Sequence, residues 1–236
     1  MDQLIVALDV DSGARALELA SELQGVAGGF KVGSRLFTLE GPRLVRQLVD
    51  RGHRVFLDLK FHDIPNTVGQ AVAAGVDTGA WMINVHASGG LDMMRAAVDA
   101  GRRAANAAGK SPPILIGVTV LTSMSEQGLQ AVGVSRSLEN QVLALARNSL
   151  EAGLDGVVAS PHETAPIRAT LGKSPVIVTP GIRGAAAGVE RHDQHRTMGP
   201  AEAIAAGANY IVVGRPIIAA PDPRLAAEAI AADTGH

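Results

Sequence analysis

The sequence has no cysteine and few aromatic residues. Its 236 residues include four Phe, one Trp and one Tyr, which together make up 3% of the chain. Without cysteine the chain can form no disulfide scaffold, no thiolate metal site and no cysteine nucleophile. Proteins that bind single-stranded nucleic acid stack bases on aromatic rings, and this composition offers few such rings.

Neither sign of charge dominates, and long apolar runs are missing. Lys and Arg number 21 and Asp and Glu 23, for a net charge of -2, so no basic excess predicts a nucleic-acid partner. No apolar run reaches the roughly 18 residues that a membrane span requires. The first residues do not resemble a signal peptide, which begins with basic residues before an apolar stretch. We therefore expect a cytoplasmic protein without a membrane partner.

Eight short segments rich in Val and Ile recur along the chain, and 47% of all residues are hydrophobic. They are Leu4–Val10, Gly29–Gly33, Arg54–Lys60, Trp81–Ala87, Ile114–Val120, Gly156–Ser160, Val176–Ile182 and Tyr210–Pro216. Each segment is almost continuously apolar, which is typical of a parallel strand that is buried on both faces.

Amphipathic stretches rich in Ala and Leu separate these strands and predict helices. They are Ser12–Leu23, Pro42–Arg51, Asn66–Thr78, Gly90–Ala108, Leu138–Ala152, Pro200–Ala206 and Pro223–Ala232. Alternation of eight strands with helices predicts one (β/α)8 TIM barrel domain over residues 1–236. The alternative is an open doubly wound sheet, which usually has fewer strands and a G-x-G-x-x-G motif that is missing after the first strand here.

Charged residues cluster in and after the first three predicted strands. In a barrel the active site lies at the carboxyl ends of the strands, where Asp9, Lys31, Asp58, Lys60 and Asp63 are expected. Asp58 and Lys60 are two positions apart, so both side chains should point into the barrel. A buried structural ion pair would explain one acid and one lysine. Three acids and two lysines together favour a functional cluster.

The last two strands predict an anion site. Arg183 and Arg215 lie at the ends of the seventh and eighth strands, and Gly181 and Gly214 precede them closely. Phosphate-binding barrels place their anion site at these strand ends, and guanidinium groups make paired contacts with phosphate oxygens. The alternative interpretation is two solvated arginines on the barrel rim.

The segment Asp58–Thr67, DLKFHDIPNT, resembles the signature of the orotidine 5'-phosphate decarboxylase family. Further matches extend the resemblance over essentially the whole chain. These are Ala7–Asp9, Phe30–Gly33, Val118–Ser123, Thr179–Arg183, Asp193–Gln194 and Val213–Pro216. The resemblance implies decarboxylation of orotidine 5'-phosphate to UMP in pyrimidine biosynthesis, without a metal or other cofactor.

The resemblance also implies a role for each catalytic residue. Lys60 would stabilise the carbanion that forms at C6 and then protonate it. Asp58 and Asp63 would keep the Lys60 ammonium charged and aimed.

The substrate contacts follow by the same resemblance. Asp9 and Lys31 would contact the ribose, and Thr122, or the adjacent Ser123, the pyrimidine. The implied phosphate ligands are Arg183, Gln194, Gly214 and Arg215. Gln194 lies in the long loop 183–199, which would close over the phosphate as a lid. Asp63 and Thr67 would reach the substrate of a neighbouring subunit, which implies a homodimer with shared active sites.

Two other functions compete with decarboxylation. A related hexulose-phosphate synthase or pentulose-phosphate epimerase would need a divalent metal and side chains to hold it. A catalytically silent phosphate binder would keep Arg183 and Arg215 but would not need Lys60 between two acids. The residues Ile64–Thr67 after the shared Asp-x-Lys-x-x-Asp pattern favour the decarboxylase.

Overall fold

Eight parallel strands close into a barrel in the computed structural model, which describes residues 2–182 and 198–234. The strands are β1 Leu4–Ala7, β2 Gly29–Gly33, β3 Val55–Phe61, β4 Met82–His86, β5 Ile114–Val118, β6 Gly156–Val158, β7 Val176–Pro180 and β8 Tyr210–Val213. Each strand pairs with the next along the chain, and β8 pairs with β1 to complete the ring. The predicted (β/α)8 barrel is confirmed.

Six of the strands end one to three residues earlier than the sequence predicts. Just past the end of a strand, single backbone hydrogen bonds to the next strand remain, as from the Leu8 N–H to the Lys31 carbonyl over 3.0 Å. Leu8, for example, follows β1 and is fully buried. Burial therefore extends past the end of the regular strand, and the apolar pattern of the sequence does not mark where the strand ends.

Helices cover the outside of the barrel. They are α1 Gly13–Glu22, α2 Ser34–Glu40, α3 Pro42–Asp50, α4 Pro65–Asp77, α5 Leu91–Ala107, α6 Glu126–Ala131, α7 Leu138–Glu151, α8 Pro161–Leu171, α9 Pro200–Ala205, α10 Arg215–Ile218 and α11 Pro223–Asp233. A short 3-10 helix, Ala87–Gly89, precedes α5. All seven predicted helices are present, with ends within one residue of those predicted.

Four further helices, α2, α6, α8 and α10, are not predicted by the sequence pattern. Of these, α8 is the longest, and two prolines, Pro161 and Pro166, hide its helical pattern. Its start is nonetheless marked by a capping box, because the Ser160 amide donates to Glu163 Oε2 over 3.0 Å. Pro161 occupies the first turn, where the missing N–H has no intrahelical partner to lose.

Two apolar layers hold the barrel together. Leu57 belongs to the outer layer between strands and helices, whereas Phe56 and Met82 fill the barrel interior. One alternation further along each strand, the interior positions become polar, at Asp58 on β3 and Asn84 on β4. The apolar interior therefore forms a floor beneath a polar cluster at the carboxyl end. In the described part of the chain, no helix is both long and apolar enough to cross a membrane.

Candidate active site

Four charged side chains from the first three strands meet at the carboxyl end of the barrel. Lys60 Nζ lies 2.6 Å from Asp58 Oδ1, and Lys31 Nζ lies 3.3 Å from Asp58 Oδ2. Lys31 Nζ is also 3.2 Å from Asp9 Oδ1. The strands thus bring together four of the predicted residues as an alternating chain of acids and cations: Asp9, Lys31, Asp58 and Lys60.

Burial differs along this chain of charges. The side chains of Asp58 and Lys31 are 11% and 12% exposed, whereas that of Lys60 is 36% exposed and that of Asp9 is 58% exposed. The two ammonium groups bind different oxygens of the Asp58 carboxylate. Asp58 and Lys31 therefore form the buried base of the cluster, and Lys60 and Asp9 lie nearer to solvent.

Charge pairing keeps the buried groups ionised. Burial alone would raise the pKa of Asp58, but Lys31 and Lys60 reverse the effect, and the pKa of this carboxyl lies below its usual range. Burial alone would lower the pKa of Lys31, but Asp58 and Asp9 outweigh it, and the pKa of Lys31 is raised. At neutral pH the site thus contains a fixed carboxylate between two ammonium groups.

Asn84 completes this cluster from β4 and was not among the residues predicted from the sequence. Asn84 is 1% exposed, and its Nδ2 donates to Asp58 Oδ1 over 2.7 Å. Its Oδ1 accepts a hydrogen bond of 2.8 Å from the backbone N–H of Lys60. The available signal was a single amide within the otherwise apolar strand interior, at the same barrel face as Asp58.

Asp63 lies on the surface after β3. Its Oδ1 accepts a hydrogen bond of 2.6 Å from the Ile64 amide, and no hydrogen bond joins it to Lys60 of the same chain among the described residues. Thr67, in the first turn of α4, is also exposed, as is Ile64 between them at 66%. The structure therefore does not bring Asp63 and Thr67 into their own chain's cluster.

His86 borders the cluster at the end of β4. Its ring stacks on that of His62 with the centroids 5.3 Å apart, and its Nδ1 lies 2.9 Å from Ser88 Oγ. Burial lowers the pKa of His86, and the nearby His62 and Lys60 lower it further. His86 is therefore neutral at pH 7 and adds no charge beside Lys60.

Gly214 borders the cluster on its other side, where β8 meets β1. A Cβ atom at Gly214 would lie 3.5 Å from Asp9 Oδ2 and 3.5 Å from the Ala7 side chain. Arg215, the next residue, is exposed at the start of α10. After β5, Thr122 is half-buried and Ser123 is exposed.

Two of the predicted phosphate ligands, Arg183 and Gln194, lie outside the described residues, as does most of the predicted lid. Across residues 2–182 and 198–234, no group of three or more His, Asp or Glu side chains is arranged to hold a metal ion. The carboxylates of Asp9 and Asp58 instead pair with ammonium groups.

Comparison with known proteins gives one consistent match. The model of the family described as Orotidine 5'-phosphate decarboxylase / HUMPS family matches residues 2–230. Orotidine 5'-phosphate decarboxylase from Moorella thermoacetica is 53% identical over 233 residues, which cover 98% of this chain and 92% of that protein. The enzyme of the same name from Nitrosococcus oceani is 50% identical over 234 residues, covering 99% and 98% of the two chains.

A solved structure shares the fold over its full length. The crystal structure of orotidine 5'-phosphate decarboxylase from Lactobacillus acidophilus superimposes with a TM-score of 0.88 at 37% sequence identity. The match covers 100% of both chains.

Proposed function

Because the chain belongs to the orotidine 5'-phosphate decarboxylase / HUMPS family, we propose that it decarboxylates orotidine 5'-phosphate to UMP in pyrimidine biosynthesis. The observation that carries this proposal is the Lys60 ammonium held 2.6 Å from the buried Asp58 carboxylate at the barrel mouth. A protein that only binds phosphate would not need an ammonium group fixed beside a buried carboxylate.

The chemistry of the reaction explains why a fixed cation is needed. When the bond between C6 and the carboxylate breaks, carbon dioxide leaves and the electron pair remains on C6. This pair occupies an sp² orbital orthogonal to the ring π-system, so resonance cannot spread the charge. A preorganised cation beside C6 stabilises it directly.

Lys60 supplies both the charge and the proton in this proposal. Its ammonium group lies beside the developing carbanion, donates one proton to C6 to give UMP, and regains a proton from solvent before the next cycle. Contact with Asp58 over 2.6 Å fixes the direction of the ammonium group. The proposed reaction needs no metal or organic cofactor, because Lys60 performs the electrostatic and the proton-transfer step.

The remaining predicted residues bind the ribose, the phosphate and the pyrimidine ring. Lys31 and Asp9 contact the ribose hydroxyls, and Thr122 or Ser123 contacts the pyrimidine. Four residues bind the phosphate: Arg183, Gln194, Gly214 and Arg215. Binding energy from this remote phosphate favours the arrangement in which the reacting carbon meets Lys60.

We further infer a homodimer in which Asp63 and Thr67 serve the neighbouring active site. Asp63 bonds to the adjacent Ile64 amide rather than to Lys60 of its own chain, and Ile64 exposes an apolar side chain beside it. A two-fold axis would place each Asp63 opposite the partner's Lys60.

Two broader expectations remain predictions. We infer that residues 1–236 form one domain, which the closure of the barrel between β1 and β8 supports. A cytoplasmic location rests on the sequence alone.

The decisive experiment mixes the purified protein with orotidine 5'-phosphate and follows the loss of its absorbance and the release of carbon dioxide. We expect turnover at the same rate with and without EDTA. Activity that disappears with EDTA and returns with a divalent ion would instead indicate a metal-dependent relative. Binding without turnover would indicate a silent phosphate binder.

A further inference from the structure

Lys60 has an unusual backbone conformation. Its φ angle is +52°, the only positive value at a non-glycine position among the described residues. This left-handed region is sterically unfavourable for a residue with a side chain, and it persists only where the surrounding structure holds it.

An irregularity in strand pairing surrounds Lys60. Leu57 pairs with Ile83 and Phe61 pairs with Val85, so β3 advances four residues while β4 advances only two. The extra length of β3 includes Asp58 and Lys60 and forms a bulge at the active-site edge. Within this bulge the Lys60 amide donates to the Asn84 side chain.

The two ends of the Asn84 amide have different partners. The oxygen accepts from the Lys60 backbone over 2.8 Å, and the nitrogen donates to Asp58 Oδ1 over 2.7 Å. The same Asp58 oxygen receives the Lys60 ammonium over 2.6 Å. One buried side chain thus connects the backbone of the lysine to the carboxylate that aims its ammonium.

We propose that Asn84 is a positioning residue, which fixes the bulged backbone of Lys60 and the Asp58 carboxylate in the arrangement that aims the ammonium. This inference rests on the proposed role of Lys60 in decarboxylation. Asn84 acts through Lys60 and Asp58 and is assigned no contact with the substrate.

The first test measures decarboxylation of orotidine 5'-phosphate by the full-length Asn84→Ala variant. Misplacement of a catalytic group by about 1 Å costs on the order of 100-fold in rate, so we expect kcat to fall by about that factor. KM should change less than kcat, because Lys31, which is proposed to bind the ribose, keeps its ion pair with Asp9 when Asp58 moves. An unchanged kcat in the folded variant would overturn the proposal.

Ser149→Ala is the matched control. Ser149 is fully buried on α7, and its Oγ donates to the Leu145 carbonyl over 2.8 Å, away from the cluster. Like Asn84→Ala, it removes a buried hydrogen bond and should lower the melting temperature. We expect Ser149→Ala to leave kcat unchanged, and an equal loss of kcat in both variants would show that lost stability, and not lost positioning, slows the reaction.

A second variant of nearly the same size, Asn84→Asp, carries the test if the alanine variant fails to fold. The introduced carboxyl repels Asp58 when ionised but can donate to it, as the amide does, when protonated. The charged and titratable groups around this position are Lys31, Asp58, Lys60, His62 and His86. These are common to both enzymes, so the ratio of variant to wild-type kcat should rise as the pH is lowered. A ratio independent of pH would contradict the proposal.

A crystal structure of Asn84→Ala gives a readout that does not depend on activity. We expect the φ angle of Lys60 to leave the left-handed region and its Nζ to move out of hydrogen-bonding distance of Asp58. If the wild-type protein does not decarboxylate the substrate, the proposed function fails, while this structure still decides the role of Asn84. Unchanged Lys60 geometry would overturn the positioning role.

Discussion

The Asp58 carboxylate carries more interactions than any other group in the cluster. It accepts from the Lys60 ammonium and from the Asn84 amide, and it pairs with Lys31. A buried charge is tolerated only when such partners replace the water that it has lost. Asp58 therefore stabilises the fold and sets the electrostatics of the cluster. Its substitution should change both properties.

We expect Asp58→Asn to lower the free energy of unfolding at pH 7 by about 3 kcal/mol, because Lys60 then loses its ion pair with Asp58 and the buried Lys31 keeps only its pair with Asp9. The pKa of Asp58 in the folded state is lowered below its ordinary value of 3.8. Its stabilising effect is thus complete above that value and is lost as the pH falls through the lower, folded-state pKa. Urea unfolding between pH 7 and strongly acidic pH measures the difference.

Comparison of the variant with the wild type tests whether the charge of Asp58 stabilises the fold. The difference in the free energy of unfolding between the two proteins should shrink in acid. There the wild-type carboxylate becomes protonated and is then uncharged, like the amide of the variant. A gap that stayed constant over the whole pH range would mean that the charge of Asp58 does not stabilise the fold.

Arg215→Ala should weaken binding of orotidine 5'-phosphate and slow its decarboxylation. The expected loss is about 2 kcal/mol, or roughly 30-fold in kcat/KM, the scale of a charge-assisted hydrogen bond. The nucleoside orotidine, which has no phosphate, should hardly respond to the same change. Steady-state kinetics with both substrates provide the measurement, and equal losses would place Arg215 outside the phosphate site.

At the scale of elements, Arg168 ties α8 to the amino-terminal side of the barrel. Its guanidinium donates to the carbonyls of Pro175 and Gly207 over 2.7 and 2.9 Å, and to Asn209 Oδ1 over 2.6 Å. Asn209 Oδ1 also accepts from the Ile177 amide over 2.8 Å. One side chain therefore joins α8 to the segments that lead into β7 and β8.

Arg168→Lys keeps the charge but loses the planar set of donors, so several carbonyl contacts cannot form together. We expect a loss of about 2 kcal/mol in the free energy of unfolding and an unchanged kcat, because these contacts lie at the end opposite the active site. Thermal unfolding measures the change in stability, and steady-state kinetics measure kcat. The control is Arg43→Lys, whose arginine side chain is 75% exposed and which should change neither quantity.

At the scale of the whole molecule, the proposed dimer makes a prediction about mixed subunits. Lys60→Ala and Asp63→Ala chains should each be inactive alone, because every site in either homodimer lacks one required group. In a mixed dimer, one site contains both substitutions and the other contains neither. Random reassembly makes about half of the dimers mixed, so roughly a quarter of wild-type activity should return.

The experiment unfolds the two variants together, refolds them and measures decarboxylation. Wild-type chains treated in the same way serve as the control for refolding and exchange. If Asp63 served its own chain, every site would keep one defect, and no activity would return under conditions in which the wild type recovers.

The barrel and most of its charged cluster follow from the sequence because they depend on local patterns. Apolar runs buried on both faces define the strands, and polar residues at their carboxyl ends necessarily meet when the sheet closes. For this reason the sequence alone predicts that four charged residues come together: Asp9, Lys31, Asp58 and Lys60. The helix α8 escaped prediction because two prolines interrupt its pattern, although its packing and cap tolerate them.

Only the tertiary structure decided how the cluster is held. The left-handed backbone of Lys60 and its capture by Asn84 arise from the unequal advance of β3 and β4, which no single strand encodes. The contacts of Arg168 likewise join segments up to 41 residues apart. Hydrophobic periodicity is a property of neighbours along the chain, whereas register and buried hydrogen bonds are set between strands. The sequence by itself therefore predicted that four charged residues meet at the carboxyl end of the barrel, whereas the pairing of strands decided their geometry and brought Asn84 to them.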